Sequence, residues 1–197
     1  MLILGADTSL PLLSVALVRD AKTIGAVALE GKGSRNEKLL PAVDWLLSES
    51  GVSRSAIDLF AVTRGPGSFT GVRIGLATIQ GLALALGRPV CAVSTHEAIA
   101  LGSGRDAATV VDDAGRGEYY ASQFVGGSET VAPHLAAEIP QGDVIRVVDF
   151  IHMNNVAACC ALRADAIARS GRLDQYADIT PIYVRLAEAD VKRQQKG

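Results

Sequence analysis

A chain of 197 residues that is 49% hydrophobic, 20% charged and carries a formal net charge of −2 has enough apolar material for one domain or two small lobes. That balance excludes a disordered chain and gives no general electrostatic footprint for nucleic acid; only Lys192, Arg193 and Lys196 make the end basic, which reads as a solvated tail. Three cysteines, with Cys159 and Cys160 adjacent, form no disulfide framework and suit a reducing cytosol.

Met1 to Asp7 has no basic lead-in and reaches an acid early, so it reads as a strand (Ile3 to Asp7) rather than a signal peptide. Leu13 to Val18 and Thr23 to Leu29 follow as two further strands, the three forming an antiparallel meander. Ser34 and Glu37 have the capping-box spacing that opens a helix to Ser50, with Leu39, Leu40, Val43, Leu46 and Leu47 at helical intervals and Pro41 inside it. Next come a strand (Leu59 to Thr63), a Gly-rich turn, a helix (Thr70 to Leu86), a strand (Pro89 to Val93) and a helix from Ser94 or Thr95. The apolar run Ile74 to Leu86 falls short of the roughly 18–20 residues that span a bilayer, so the expectation is a soluble, cytoplasmic protein with no membrane role.

Three meandering strands and then alternating helices predict an α/β chain with the ribonuclease-H-like, actin-like half-fold. A shorter echo follows: a strand from Ala107 to Asp112, an acidic turn, Glu118 to Val125, a strand from Asp143 to Val148 and a helix from Asn155 to Ser170. The expected organisation is a first lobe over 1–101, for partner binding, and an abbreviated second lobe with the tail over 102–197.

Chemistry is sparse. Arg64 to Gly81 reads R-G-P-G-S-F-T-G-V-R-I-G-L-A-T-I-Q-G, a glycine-rich turn followed by N-cap candidates Ser68 and Thr70. It is neither a Walker loop nor a dinucleotide fingerprint, and Ser68 is not in a nucleophile elbow. Asp7-Thr8-Ser9 after the first strand reads either as a turn that closes a hairpin or as a phosphate cradle, with Asp113 in the equivalent turn of the second lobe. His96, His134 and His152 have no metal-ligand spacing, and Cys159-Cys160 reads as small buried residues, so no catalytic or metal residue is assigned. Gly71, Gly75 and Thr78 make a small stripe on a helix that is apolar all round. Either its own chain covers every face, or an outer face, with Leu39, Val43 and Leu46 of the preceding helix, is left for a partner.

The glycine-rich string, with Ile3 to Ser9, Glu37 to Pro41, Gly87 to Val90, Val93 to Thr95 and Pro181 to Arg185, resembles the TsaB (YeaZ) family. The turn Asp113 to Tyr120 is similar to the family's Asp-Ala-Arg-x-Gly-Glu-Val-Tyr, with Gly115 where the family has arginine. The catalytic paralogue TsaD carries a histidine pair at positions that hold Thr95 and Ile99 here. The resemblance implies a non-catalytic subunit that binds a TsaD-like catalytic subunit through its first-lobe helices. With a TsaE-like ATPase, the complex makes N6-threonylcarbamoyladenosine beside the anticodon of tRNA. ATP and a metal ion are then used by the partners and no cofactor is required by this chain; a homodimer competes for the same helices. The rival readings are a glycoprotease-like peptidase or an actin-like ATPase acting alone, and a homodimeric structural protein. The missing histidine pair weighs against the first and the missing phosphate-loop lysine against the second.

Overall fold

The computed structural model describes residues 1–30 and 35–185. The expected capping box at Ser34 and the basic tail lie outside the described residues. The first sheet has the strand order β3-β2-β1-β4-β5. Strands β1 (Leu2–Asp7), β2 (Leu13–Arg19) and β3 (Lys22–Leu29) form the antiparallel meander, and β4 (Leu59–Thr63) and β5 (Val90–Val93) run parallel to β1. Helix α1 (Arg35–Glu49) runs through Pro41 to reach β4, and α2 (Phe69–Leu86) is the crossover from β4 to β5. Ser68 caps α2 by accepting from the Gly71 amide at 3.2 Å, so Ser68, and not Thr70, supplies the N-cap.

Side chains alternate across β1 and β4, and both faces are covered. Leu4, Ala6, Phe60 and Val62 meet Leu39, Val43, Leu46, Val72, Leu76 and Ile79 of α1 and α2. Ile3, Leu59 and Ala61 meet the other side's helices, α3 (Thr95–Gly102) and α5 (Val156–Arg169). Each fully buried Leu or Ile contributes roughly 1.5–3 kcal/mol, which is why strands this apolar require two layers. Helix α5 lies so close that a Cβ on Gly5 would stand 2.3 Å from the Ala157 carbonyl oxygen, and its contact face is made of Ala157, Cys160, Ala161 and Ala164. The adjacent cysteines are thus small core residues on a close-packed helix.

The second sheet has the order β8-β7-β6-β9, which repeats β3-β2-β1-β4 without a fifth strand among the described residues. Strands β6 (Ala107–Gly115) and β7 (Glu118–Val125) form the expected hairpin, and β9 (Val144–Arg146) runs parallel to β6. This repeated topology is the actin-like, ribonuclease-H-like fold with an abbreviated second lobe. Two elements differ from expectation. The predicted strand Asp143 to Val148 is β9 followed at once by α4 (Val147–Met153), because Val147, Phe150 and Ile151 recur at helical spacing and bury together. Strand β8 (Ser128–Ala136) was not predicted; it is an exposed edge strand containing Pro133, so it lacks the alternation that marks a half-buried strand. The expected lobe division near residue 101 falls at the end of α3, but the chain does not stay in the second lobe: α5 returns to pack on β1, β2 and β4.

Candidate functional site

The carboxyl ends of β1 and β4 and the starts of α2 and α3 meet in a buried polar knot. Asp7 Oδ1 accepts from Ser9 Oγ at 2.5 Å, from the Ser9 amide at 3.2 Å and from Thr63 Oγ1 at 2.5 Å. Its Oδ2 is buried and has no hydrogen-bond partner among the described residues. Burial raises the Asp7 pKa above the usual carboxylate range against the lowering effect of those hydrogen bonds. Thr8 Oγ1 donates to the Gly71 carbonyl at 2.6 Å, Ser9 Oγ lies 3.0 Å from Thr95 Oγ1, and the Ser68 amide donates to the Ser9 carbonyl at 2.7 Å. The knot fastens the glycine-rich turn to the first hairpin.

Above it, between the lobes, lies a cleft of about 620 Å³ lined by Ser9, Gly67, Ser68, Phe69, Asp112, Asp113 and Tyr120 over an apolar wall of Val147, Val148 and Ile151. Of the four residues expected to cradle a nucleotide, the structure brings Ser9 and Asp113 to this cleft, while Asp7 and Thr8 are buried beneath it. Asp112, on the same wall, has its pKa pushed up to about 6, first by burial and then by the neighbouring Asp113 and Asp7 charges. Among the described residues no lysine, arginine or histidine lines the cleft. Among the described residues no group of three or more metal-ligating side chains converges.

The segment after α5 straps across this joint. The Ile182 amide donates to the Arg64 carbonyl at 2.7 Å, and Arg185 pairs with Glu118 and donates to the Ala114 carbonyl at 3.1 Å on the β6–β7 turn. Sequence reasoning singled out Pro181 to Arg185 only by its resemblance; no periodicity or composition marks it as a tie between lobes.

The partner residues expected on the helices need correcting. Leu39, Val43 and Leu46 are buried against the chain's own sheet. A Cβ on Gly71 would stand 2.0 Å from the Thr8 carbonyl oxygen, and one on Gly75 2.4 Å from Thr8 Oγ1. Those glycines admit the first hairpin, not a second molecule, and Thr78 beside them is half-buried. The outer faces carry other residues: Leu40 is 43% exposed, Trp45, beside Val27 and Leu29 of β3, 54%, and Leu84 81%, and Arg73, Ala77 and Gly81 of α2 are exposed as well. Helix α2, at 18 residues and a mean hydropathy of 1.4, is long and apolar enough by length and composition to cross a membrane, contrary to the shorter run counted from Ile74. Its Val72, Leu76, Ile79 and Ala83 nevertheless pack into the sheet core.

His96 is buried with Nδ1 2.7 Å from Ser122 Oγ, linking α3 to β7, and burial pushes its pKa down to about 3. His134 and His152 are exposed. Burial also pushes the Cys91 thiol up to about 12 and the Cys159 thiol up to about 11.

A family model described as TsaD, tRNA N6-adenosine threonylcarbamoyltransferase, matches residues 30–173. The tRNA threonylcarbamoyladenosine biosynthesis protein TsaB of Bacillus subtilis is 30% identical in an alignment that covers 98% of this chain and 97% of that protein. This chain belongs to the TsaB family. The TsaB of Escherichia coli is 41% identical over 128 residues, covering 63% of this chain and 55% of that protein. YeaZ from Pseudomonas aeruginosa superposes with a TM-score of 0.74 at 29% identity, covering 92% of this chain and 99% of that one. In this TsaB-family chain, the positions that the resemblance aligns with TsaD's histidine pair carry Thr95, held in the polar knot, and Ile99, fully buried in the core.

Proposed function

We propose that this chain is the accessory partner of a TsaD-like catalytic subunit in the N6-threonylcarbamoyladenosine modification of tRNA beside the anticodon, acting through a docking surface and not through turnover of its own. The observation that carries this reading is the outer face of α1 and α2, where Leu40 of α1 and Leu84 of α2 are exposed, with the small residues Ala77 and Gly81 exposed on the same helix as Leu84. A large apolar face on two packed helices is stabilised when another helix pair completes a four-helix layer. A partner of the same fold supplies such a pair in matching geometry, and a second copy of this chain competes for the face. The TsaD model's match across residues 30–173 supports kinship between the two subunits.

In this reading ATP and metal chemistry belong to the TsaD-like subunit and to a TsaE-like ATPase. Among the described residues the cleft offers hydroxyls and two carboxylates but no cation, so a nucleotide meets uncompensated negative charge and binds weakly, with magnesium supplied from solution. The test is co-purification with the TsaD-like subunit. Leu84→Arg should leave a folded chain, since the side chain faces water, and should weaken the pair by about 100-fold by placing a charge in a desolvated contact. The isolated protein should show neither peptidase nor transfer activity. Retained affinity in Leu84→Arg, or robust turnover by the chain alone that is lost in Asp7→Ala, contradicts the proposal.

A further inference from the structure

Arg73 is the only charged residue of α2. It lies on the exposed stripe that runs through Thr70, Arg73, Ala77, Gln80 and Leu84, at the a and d spacing of a helix seam. The side chain is held in place from two directions. Its guanidinium stacks over the Phe69 ring at 3.8 Å, and its Nε donates to Tyr183 Oη at 2.6 Å. The Tyr183 ring packs on Phe69 with centroids 4.8 Å apart, so the strap is part of the support. Among the described residues the two Nη groups make neither an ion pair nor a hydrogen bond. The nearby arginines differ: Arg54 pairs with Asp44, Arg64 with Asp178, and Arg88 donates to the Ser55 carbonyl.

A guanidinium fixed by stacking and by its Nε, with the Nη edge open, is preorganised for a carboxylate in the end-on bidentate geometry. Little rotamer freedom remains to be lost on binding, which is the usual cost of recruiting an arginine. The surrounding stripe is neutral, so this one cation sets the sign and register of whatever docks. We propose that Arg73 is the anchor by which this face selects its partner, through a bidentate pair with an aspartate or glutamate of the TsaD-like subunit. The proposal rests on the reading that this subunit docks on the α1–α2 face. A second copy's α2 has no carboxylate to offer in return, so in a homodimer the only acids this face could present to Arg73 are those of α1, Glu37, Asp44 and Glu49.

Affinity of the full-length chain for the TsaD-like subunit, measured by calorimetry at low and high salt, tests it. Arg73→Ala is expected to weaken binding by about 10- to 100-fold and Arg73→Glu to abolish it, with one Asp→Lys or Glu→Lys change in the partner restoring the Arg73→Glu variant. Arg73→Lys should recover only part of the loss, because an ammonium cannot make the fork. Tyr183→Phe, which keeps the charge but frees Nε, should cost several-fold. Wild-type affinity in both Arg73→Lys and Tyr183→Phe overturns the anchor, as does wild-type affinity in Arg73→Glu. If Arg73→Glu leaves the pair intact but weakens tRNA binding by the assembled complex, the guanidinium meets an RNA phosphate and the proposal also falls. The Leu84→Arg control separates the two readings: lost binding there with none lost at Arg73 leaves the docking face standing and removes only its anchor.

Discussion

Asp7 and His96 are both fully buried, and neither has a charged partner among the described residues' ion pairs. Each therefore favours its neutral form, the carboxyl by a raised pKa and the imidazole by a lowered one. For His96 the folded value of about 3 lies below the ordinary 6.5, so the stability it preserves is fully present above pH 6.5 and is lost as pH falls from there toward 3. At most this costs about 1.4 kcal/mol for each pH unit in that window. Asp112 works in the opposite sense: its value of about 6 lies above the ordinary 3.8, so its contribution is regained as pH falls through 6 toward 3.8. The two partly cancel in the wild-type profile. The measurement is therefore a difference: denaturant unfolding of wild type and His96→Asn at about pH 7.5 and about pH 5, either side of the imidazole's ~6.5. The variant should be the less stable protein at the higher pH and should lose less on acidification. An equal loss in both proteins would mean that His96 is not held neutral.

At the scale of the helix, α2 shows how one substitution has two signs. Gly71→Ala places a methyl 2.0 Å from the Thr8 carbonyl oxygen, a backbone atom that cannot turn aside. The expected loss is about 3 kcal/mol, because overpacking outweighs the roughly 1 kcal/mol by which alanine is the better helix former. Gly81→Ala meets nothing within 4 Å, so only the propensity term operates and the isolated chain should gain up to about 1 kcal/mol. Thermal melts of the two variants should move in opposite directions. The small stripe Gly71, Gly75, Thr78 was legible in the sequence, but its destination was not. Spacing says which residues share a helix face; it does not say whether that face meets a sheet, a hairpin or another molecule.

Across the whole molecule, the lobes are joined by the His96–Ser122 hydrogen bond and by the strap that ends on Glu118, while the half-buried group in which Arg163 Nε and Tyr176 Oη each donate to Glu97 Oε1 (2.7 and 3.0 Å) holds the returning α5 to α3. Arg185 makes two contacts on the β6–β7 turn, which also walls the cleft. Because Arg185 and Glu118 are partly solvated, Arg185→Ala should lower global stability by no more than about 1 kcal/mol. Its local effect should be larger: amide exchange in the Asp113 to Glu118 turn should quicken while the first sheet keeps its protection. Unchanged exchange in that turn would show that the strap does not restrain it.

The sequence by itself determined the first lobe. Long apolar runs, turn residues between them and alternating strand and helix periods fixed β1 to β5 and α1 to α3, because those are local signals that agree with the global fold. It also fixed the family, through motifs concentrated in the same region. Only the tertiary structure decided what depends on who packs against whom. It placed Asp7 and Thr8 below the cleft instead of in it, and it turned Leu39, Val43 and Leu46 inward. It sent α5 back to the first sheet over Gly5, and it left Arg73 stacked and open on the outer face. The physical reason is the same in each case: an apolar helix or a buried hydroxyl specifies that it must be covered, while the covering surface comes from residues far along the chain, 152 positions away for Gly5 and Ala157.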